Sequence, residues 1–223
     1  MKLKIGLIGF GKTGKAVASV ILHNQDFSLE WVYRQSSQLD KRSVPEFLGV
    51  TSDELGIIYS AASTSIEEVL KQQPVDFIID FSSNDGIYSY GQIAANQKIK
   101  IISAISHYSD KEIEYLKELS KSTTVFWSPN ITLGVNFLLF ASRFLKNIAP
   151  WVDIEIIEEH FKGKVGLSGT AIKIANALDI NKDVINSIRA GGIVGKHEVV
   201  FGFPYQTIRL IHESISREAF GNG

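Results

Sequence analysis

The 223-residue chain carries 23 Lys and Arg against 24 Asp and Glu, a formal charge of −1, with 44% hydrophobic and 21% charged residues. That is the make-up of a globular protein of one large or two small domains, with no basic field to gather nucleic acid or an anionic membrane, so an anionic ligand must be held by local groups. The lack of cysteine excludes disulfides, thiolate metal sites and a cysteine nucleophile; no metal site is expected, no signal peptide or membrane-length apolar run is visible, and the expected compartment is the cytoplasm.

The first predicted elements are a strand from Lys2 to Ile8, a glycine turn, and a helix continuing through Val17, Val20 and Ile21. The turn reads Gly9-Phe10-Gly11-Lys12-Thr13-Gly14, a G-x-G-x-x-G fingerprint between strand and helix. Gly9 permits the tight turn, Gly11 lets backbone approach a diphosphate, and Gly14 lets the helix lie close to the strand. Free amides at the helix start, aided by its dipole, favour the phosphates. A second strand is predicted at Leu29 to Tyr33, with Arg34, Gln35, Ser36 and Ser37 after it. An acidic residue at that point would hold the ribose 2′-hydroxyl of NAD, whereas a guanidinium pairs with a 2′-phosphate. Arg34 therefore favours NADPH over NADH, with both left open.

Pro45 and Gly49 mark the stretch from Gln38 to Glu54 as a loop with one short helix around Pro45 to Leu48. Ile57 to Tyr59 reads as a short strand, and Ser65 with Glu68 reads as a capping box opening a helix. Val75 to Phe81 is a buried parallel strand with a polar tip at Asp80-Phe81-Ser82, where ligands of open α/β sheets lie. A helix at Tyr88 to Asn96, a strand at Ile99 to Ala104, a helix at Asp110 to Ser120 and a strand at Thr124 to Trp127 continue the alternation. The order predicts an α/β Rossmann-type, doubly wound parallel sheet.

After Ser128-Pro129-Asn130 the pattern changes. Gly134 to Ile148 has helical spacing, Asp153 to Glu158 alternates as a strand, and two antiparallel strands are predicted at Gly195 to Phe203 and Gln206 to Ser214. The second part is therefore expected to be an α+β domain on a mixed or antiparallel sheet. Its most informative stretch runs from Glu158 to Ala171, placing His160, Lys162 and Lys164 just before a helix that opens Ser168-Gly169-Thr170. Helix-start amides, two hydroxyls and an ammonium group suit a carboxylate, and an imidazole titrates where a proton donor is needed. Each item also has a structural reading: Ser168 or Thr170 as a cap, His160 as a surface residue. His107, His197 and His212 are read as structural.

At these residues the chain resembles the 4-hydroxy-tetrahydrodipicolinate reductase family, the NAD(P)H-dependent enzymes of lysine and diaminopimelate synthesis. The likeness runs nearly end to end: the turn at Gly9 to Gly14, Ile79-Asp80-Phe81-Ser82, Ser128 to Asn136, Glu155 to His160, Lys164-Val165, Ser168 to Ala171, Ile188 to Val199 and Ile211 to Arg217. The resemblance implies His160 as general acid, Lys164 as second proton donor, and Ser168, Gly169 and Thr170 as holders of a substrate carboxylate. It places Ser103-Ala104-Ile105-Ser106 against the nicotinamide and Asn130 in a loop bordering the cofactor. The cofactor-binding set is thus Gly9 to Gly14, Arg34, Phe81, Ser82, Ser103, Ala104, Ser106 and Asn130. The implied substrate is a cyclic imino dicarboxylate, and the implied assembly is a homotetramer.

Departures accompany the matches. The family has a second histidine where Phe161 stands, one residue more than Gly166-Leu167 before Ser168, and Gly-Thr-Thr-Gly where this chain has Ser103 to Ser106; the segment from Ala171 to Ile188 is also shorter. The expected domains are 1–129, rejoined by 215–223, for the dinucleotide, and 130–214 for substrate and oligomerisation. The alternatives are a related reductase of another imino or carbonyl acid and a catalytically silent NAD(P)-binding paralogue.

Overall fold

A computed structural model describes residues 2–223; Met1, the start of the first expected domain, lies outside the described residues. The chain forms two compact units, Met1–Pro129 with Phe220–Asn222, and Asn130–Ala219 with Gly223. Among the described residues, no helix is long and apolar enough to cross a membrane.

In the first unit, strands β1 (Leu3–Ile8), β2 (Phe27–Arg34), β3 (Ile57–Ser60), β4 (Phe77–Asp80), β5 (Lys100–Ser103) and β6 (Val125–Trp127) form one sheet in the order β3-β2-β1-β4-β5-β6. Every pairing is parallel. The strands are short apolar runs because both faces are covered, as parallel sheets require. Helices α1 (Lys12–His23) and α2 (Val44–Leu48) pack one face through Val17, Ile21 and Val44, while α3 (Ile66–Gln72), α4 (Ile87–Asn96) and α5 (Asp110–Ser120) pack the other through Val69, Tyr90 and Leu116. The capping box at Ser65 and Glu68 is formed, and Ser109 with Glu112 makes a second one ahead of α5. Strand order reverses beside β1, which creates a crevice outside the carboxyl ends of the strands.

In the second unit, α6 (Leu133–Ile148), β7 (Asp153–His160), α7 (Gly169–Ala177), β8 (Ile185–Arg189), β9 (Gly195–Phe203) and β10 (Gln206–Ser214) build a mixed sheet in the order β10-β9-β7-β8. The β9–β10 hairpin is antiparallel, as the pattern predicts, and β9 also pairs antiparallel with β7. Two features depart from expectation: β7 runs two residues further, to His160, and β8 is an additional strand parallel to β7. Leu138 of α6 and Ile174 of α7 cover Ile156, Val199 and Phe201 on one sheet face. The outer side of α6 leaves Phe137, Phe140 and Phe144 exposed. A last short helix, α8 (Glu218–Asn222), brings Phe220 into the core of the first unit.

Candidate active site

At the carboxyl ends of β1 and β2 lies a cavity of about 320 Å³ whose lining includes Gly9, Phe10, Gly11, Arg34 and Ser82. The three fingerprint glycines serve different ends. Gly9 has φ of +93°, and a Cβ there would stand 2.7 Å from the Phe81 carbonyl; a Cβ on Gly14 would stand 2.1 Å from the Gly9 oxygen. Both positions demand glycine for the chain's own packing. A Cβ on Gly11 meets nothing within 4 Å, so that position is bare towards open space. Gly11 caps α1 without a side-chain hydrogen bond and the first turn has no acidic residue, so the opening amides suit a diphosphate. A dinucleotide therefore fits the residues present.

The other predicted cofactor residues divide by placement. Lys12 is exposed and Thr13 half-buried in the first turn of α1. The Phe10 ring turns into the core, 5.7 Å from the ring of Phe47, and Phe81 packs against the same cluster, so both meet the turn through backbone. Ser82 is tied by its hydroxyl and amide to buried Asp80, at 2.6 and 2.8 Å, and Tyr90 donates to the same carboxylate at 2.8 Å. Burial raises the Asp80 pKa while these donors oppose the rise. Ser103 is fully buried with its hydroxyl 2.9 Å from that of Tyr108, and the Ala104 amide donates to the Asp80 carbonyl at 2.9 Å. Ser106 is exposed. Asn130 belongs to the second unit, where its side-chain oxygen accepts from Thr170 Oγ1 at 2.8 Å.

The second unit gathers the predicted proton donors. Alternation along β7 turns Ile154, Ile156, Glu158 and His160 to the same buried face, so the apolar core gives way to an acid and an imidazole at the strand's end. Glu158 is fully buried, and five donors reach it. Arg189 donates through Nη1 at 2.9 Å and Nη2 at 2.5 Å, Ser187 Oγ at 2.6 Å, His160 Nδ1 at 2.5 Å and the Ser168 amide at 3.4 Å. Sheet register brings them together: Glu158 lies opposite Ser187 and His197, and His160 opposite Arg189. Arg189 also donates to the carbonyls of Lys164 at 3.2 Å and Gly166 at 2.7 Å, which fastens the loop ahead of α7.

Ser168 is buried and caps α7 through its hydroxyl, which also lies 2.8 Å from His197 Nε2. The His197 ring stands edge-on to His160, with centroids 5.3 Å apart. Gly169 and Thr170 head α7, and Gly169 is open to solvent. Lys164 is half-buried, and its charge acts on His160. Phe161 is exposed, and Gly166 adopts a left-handed conformation with φ of +68°. Sequence reasoning did not assign roles to Glu158, Ser187 and Arg189, and it read His197 as structural. The missing signal was register: three strands remote in sequence supply one cluster.

Electrostatics follow from the geometry. Burial opposes ionisation of Glu158, but hydrogen bonds from Arg189, Ser187 and His160 outweigh it and hold the carboxyl at about 2. For His160, burial lowers the pKa, Glu158 pulls it up, and Lys164 and Arg189 push it down, with a net downward shift. Burial takes His197 down to about 3, helped by the neighbouring His160. The cluster is thus an ionised Glu158 held by Arg189 beside two imidazoles that are neutral in the folded state near neutral pH.

Residues 3–131 match the family described as Dihydrodipicolinate reductase, N-terminus, and residues 131–223 match Dihydrodipicolinate reductase, C-terminus. A 4-hydroxy-tetrahydrodipicolinate reductase of Caldanaerobacter subterraneus subsp. tengcongensis is 31% identical over 235 residues, covering 96% of this chain and 86% of that one. The enzyme of that name from Thermosipho africanus is 34% identical over 160 residues, covering 70% and 72%. Among solved structures, a dipicolinate-bound dihydrodipicolinate reductase from Paenisporosarcina sp. TG-14 superposes with a TM-score of 0.78 at 18% identity, covering 100% of this chain and 91% of that one, a likeness of fold. With both halves matched and a relative above 30% identity spanning nearly the whole sequence, the chain belongs to the dihydrodipicolinate reductase family.

Proposed function

We propose that the protein reduces 4-hydroxy-tetrahydrodipicolinate with NAD(P)H, a step of lysine and diaminopimelate synthesis. Membership of the family in both halves supports the reaction; the observation that carries the chemistry is a buried imidazole, His160, beside an ionised carboxylate and a lysine in the loop before α7. The nicotinamide supplies hydride when bound. His160 supplies the proton that offsets charge as the ring is reduced, and Lys164 is a second donor. The amides of Gly169 and Thr170 and the setting of Ser168 suit one carboxylate of the substrate.

The two units divide the work. Residues 1–129, rejoined near the C-terminus, hold the cofactor through Gly9 to Gly14, with Ser82, Ala104 and Ser106 in the neighbouring loops and Ser103 at the end of β5, and 130–214 hold the substrate. Arg34, lining the cavity at the end of β2, supports a preference for NADPH, since a guanidinium pairs with the 2′-phosphate. The uncovered face of the second sheet carries Ile188 and Ile211 among the paired charges Lys196–Glu159 and Arg209–Glu198, which supports a homotetramer assembled on that face.

The test mixes purified protein with NADPH and the product of dihydrodipicolinate synthase and follows nicotinamide absorbance. Turnover is expected, and His160→Gln should lower kcat by roughly 10²- to 10⁴-fold. Tight NADPH binding with no turnover would overturn the reductase reading. Arg34→Asp should weaken NADPH far more than NADH; an unchanged preference would overturn the role of Arg34.

A further inference from the structure

His160 has two ring nitrogens, and only one can face a substrate. Its Nδ1 lies 2.5 Å from Glu158 Oε2, and Glu158 is locked by donors from Arg189, Ser187 and Ser168. A carboxylate that accepts from all of these is ionised and cannot itself donate, so the proton between it and the ring belongs to Nδ1. On the far side of the ring, a Cβ added at Gly195 would stand 3.1 Å from Nε2. Gly195 opens β9 and is buried, so a larger residue there would crowd Nε2, the ring nitrogen that Glu158 does not engage.

We infer that Glu158, clamped by Arg189, is a positioning residue that fixes the proton of His160 on Nδ1 and so makes Nε2, beside Gly195, the nitrogen that exchanges a proton with substrate. The inference rests on the reductase reading for its catalytic consequence but not for its tautomer. A buried Nδ1–H···carboxylate contact holds ring orientation as well as tautomer, and Nε2 then gains and loses the proton without the ring turning. The clamp also sets the pH at which His160 is charged. Facing the ring are Glu158 on its own strand, Arg189 on β8, His197 on β9 and Lys164 in the loop before α7; of these only Glu158 favours the imidazolium. Glu159, the next residue on β7, is instead paired with Lys196 at 2.7 Å.

Full-length protein labelled with ¹⁵N reports the tautomer directly through two-bond proton–nitrogen correlations, with His160 assigned from the His160→Gln variant. Wild type should show Nδ1–H as the single neutral form. Glu158→Gln should mix the tautomers and lower kcat more than it raises KM. Because an acid catalyst works while protonated, activity falls as pH rises through its pKa; without the Glu158 charge that fall should move to lower pH by about one unit or more. Glu158→Asp guards against a variant that fails to fold: it retains a charge for Arg189 but withdraws the oxygen from Nδ1, so it too should lose the single tautomer. An Nε2–H form in wild type, or a tautomer unchanged in either folded variant, would overturn the inference. Absence of turnover in wild type would instead defeat the reductase reading and leave the spectra to judge the clamp.

Discussion

Mild acid should destabilise this protein through a buried histidine, His197. His197 is 4% exposed, and burial with the neighbouring His160 lowers its pKa from 6.5 to about 3. Between these values the unfolded chain holds a proton on His197 that the folded chain does not, so stability rises with pH across the window and is lost as pH falls below 6.5. Each pH unit is worth about 1.4 kcal/mol, so descending two units below 6.5 removes about 2.7 kcal/mol, a large share of the roughly 5–15 kcal/mol typical of folded domains. Glu158, held at about 2 against an ordinary 4.5, stabilises the fold above 4.5 and withdraws that help only below it, while buried Asp80, with its raised pKa, contributes with the opposite sign, so the share of His197 is the difference between wild type and a His197 variant. His160 and His212 are also shifted down by burial and add in the same direction. Urea unfolding near pH 7, 6 and 5 measures the slope, and His197→Gln, which keeps a nitrogen towards Ser168, should flatten it by about 1 kcal/mol per pH unit averaged over this range, most steeply towards pH 5. An identical slope in wild type and variant would refute the assignment of the acid sensitivity to His197.

Two further predictions concern glycines. Gly11→Ala should leave thermal stability nearly unchanged, because its methyl meets nothing, yet weaken NADPH binding by roughly tenfold or more through a lost phosphate contact; Gly14→Ala should lower stability by more than about 1 kcal/mol, since its methyl would strike the Gly9 carbonyl. Calorimetry and a fluorescence titration of NADPH on both variants separate the two, and equal behaviour would refute the division of roles. Gly195→Ala should displace the His160 ring by a few tenths of an ångström, cutting kcat/KM by roughly tenfold while circular dichroism stays native. Unchanged kinetics would mean that the side of the ring next to Gly195 is idle.

Legibility in the sequence followed locality. The glycine turn, the Ser65–Glu68 capping box, the bounds of α5 and the β9–β10 hairpin were readable because each is set by neighbours in the chain. Strand β8 was not: it is an edge strand with only Ile185 buried, so Ile185-Asn186-Ser187-Ile188-Arg189 carries no clean period of two. The end of β7 was hidden for a related reason, since Glu158 and His160 occupy the buried face where the pattern calls for apolar residues. Ser103 closes β5 with its side chain buried, and the sequence could not foretell that Tyr108 would take up its hydroxyl.

The same polar intrusion gives the strongest argument that the cluster exists for chemistry. Desolvating Glu158 and Arg189 is costly, and a buried ion pair replaced by well-packed apolar side chains is often neutral or more stable by about 1–4 kcal/mol. Ile154 and Ile156 illustrate the cheaper choice four and two residues before Glu158 on the same face. A fold seeking only stability would have continued that series to the end of β7. Instead Arg189, Ser187 and the Ser168 amide converge on one carboxylate whose remaining neighbour is an imidazole, so the electrostatic cost is spent beside a group that can exchange a proton. The pairing also binds the loop carbonyls of Lys164 and Gly166 through the same guanidinium, so ring tautomer and loop position depend on a single side chain. Losing Arg189 should therefore disturb proton transfer and substrate binding together, whereas losing Glu158 should act mainly on the proton.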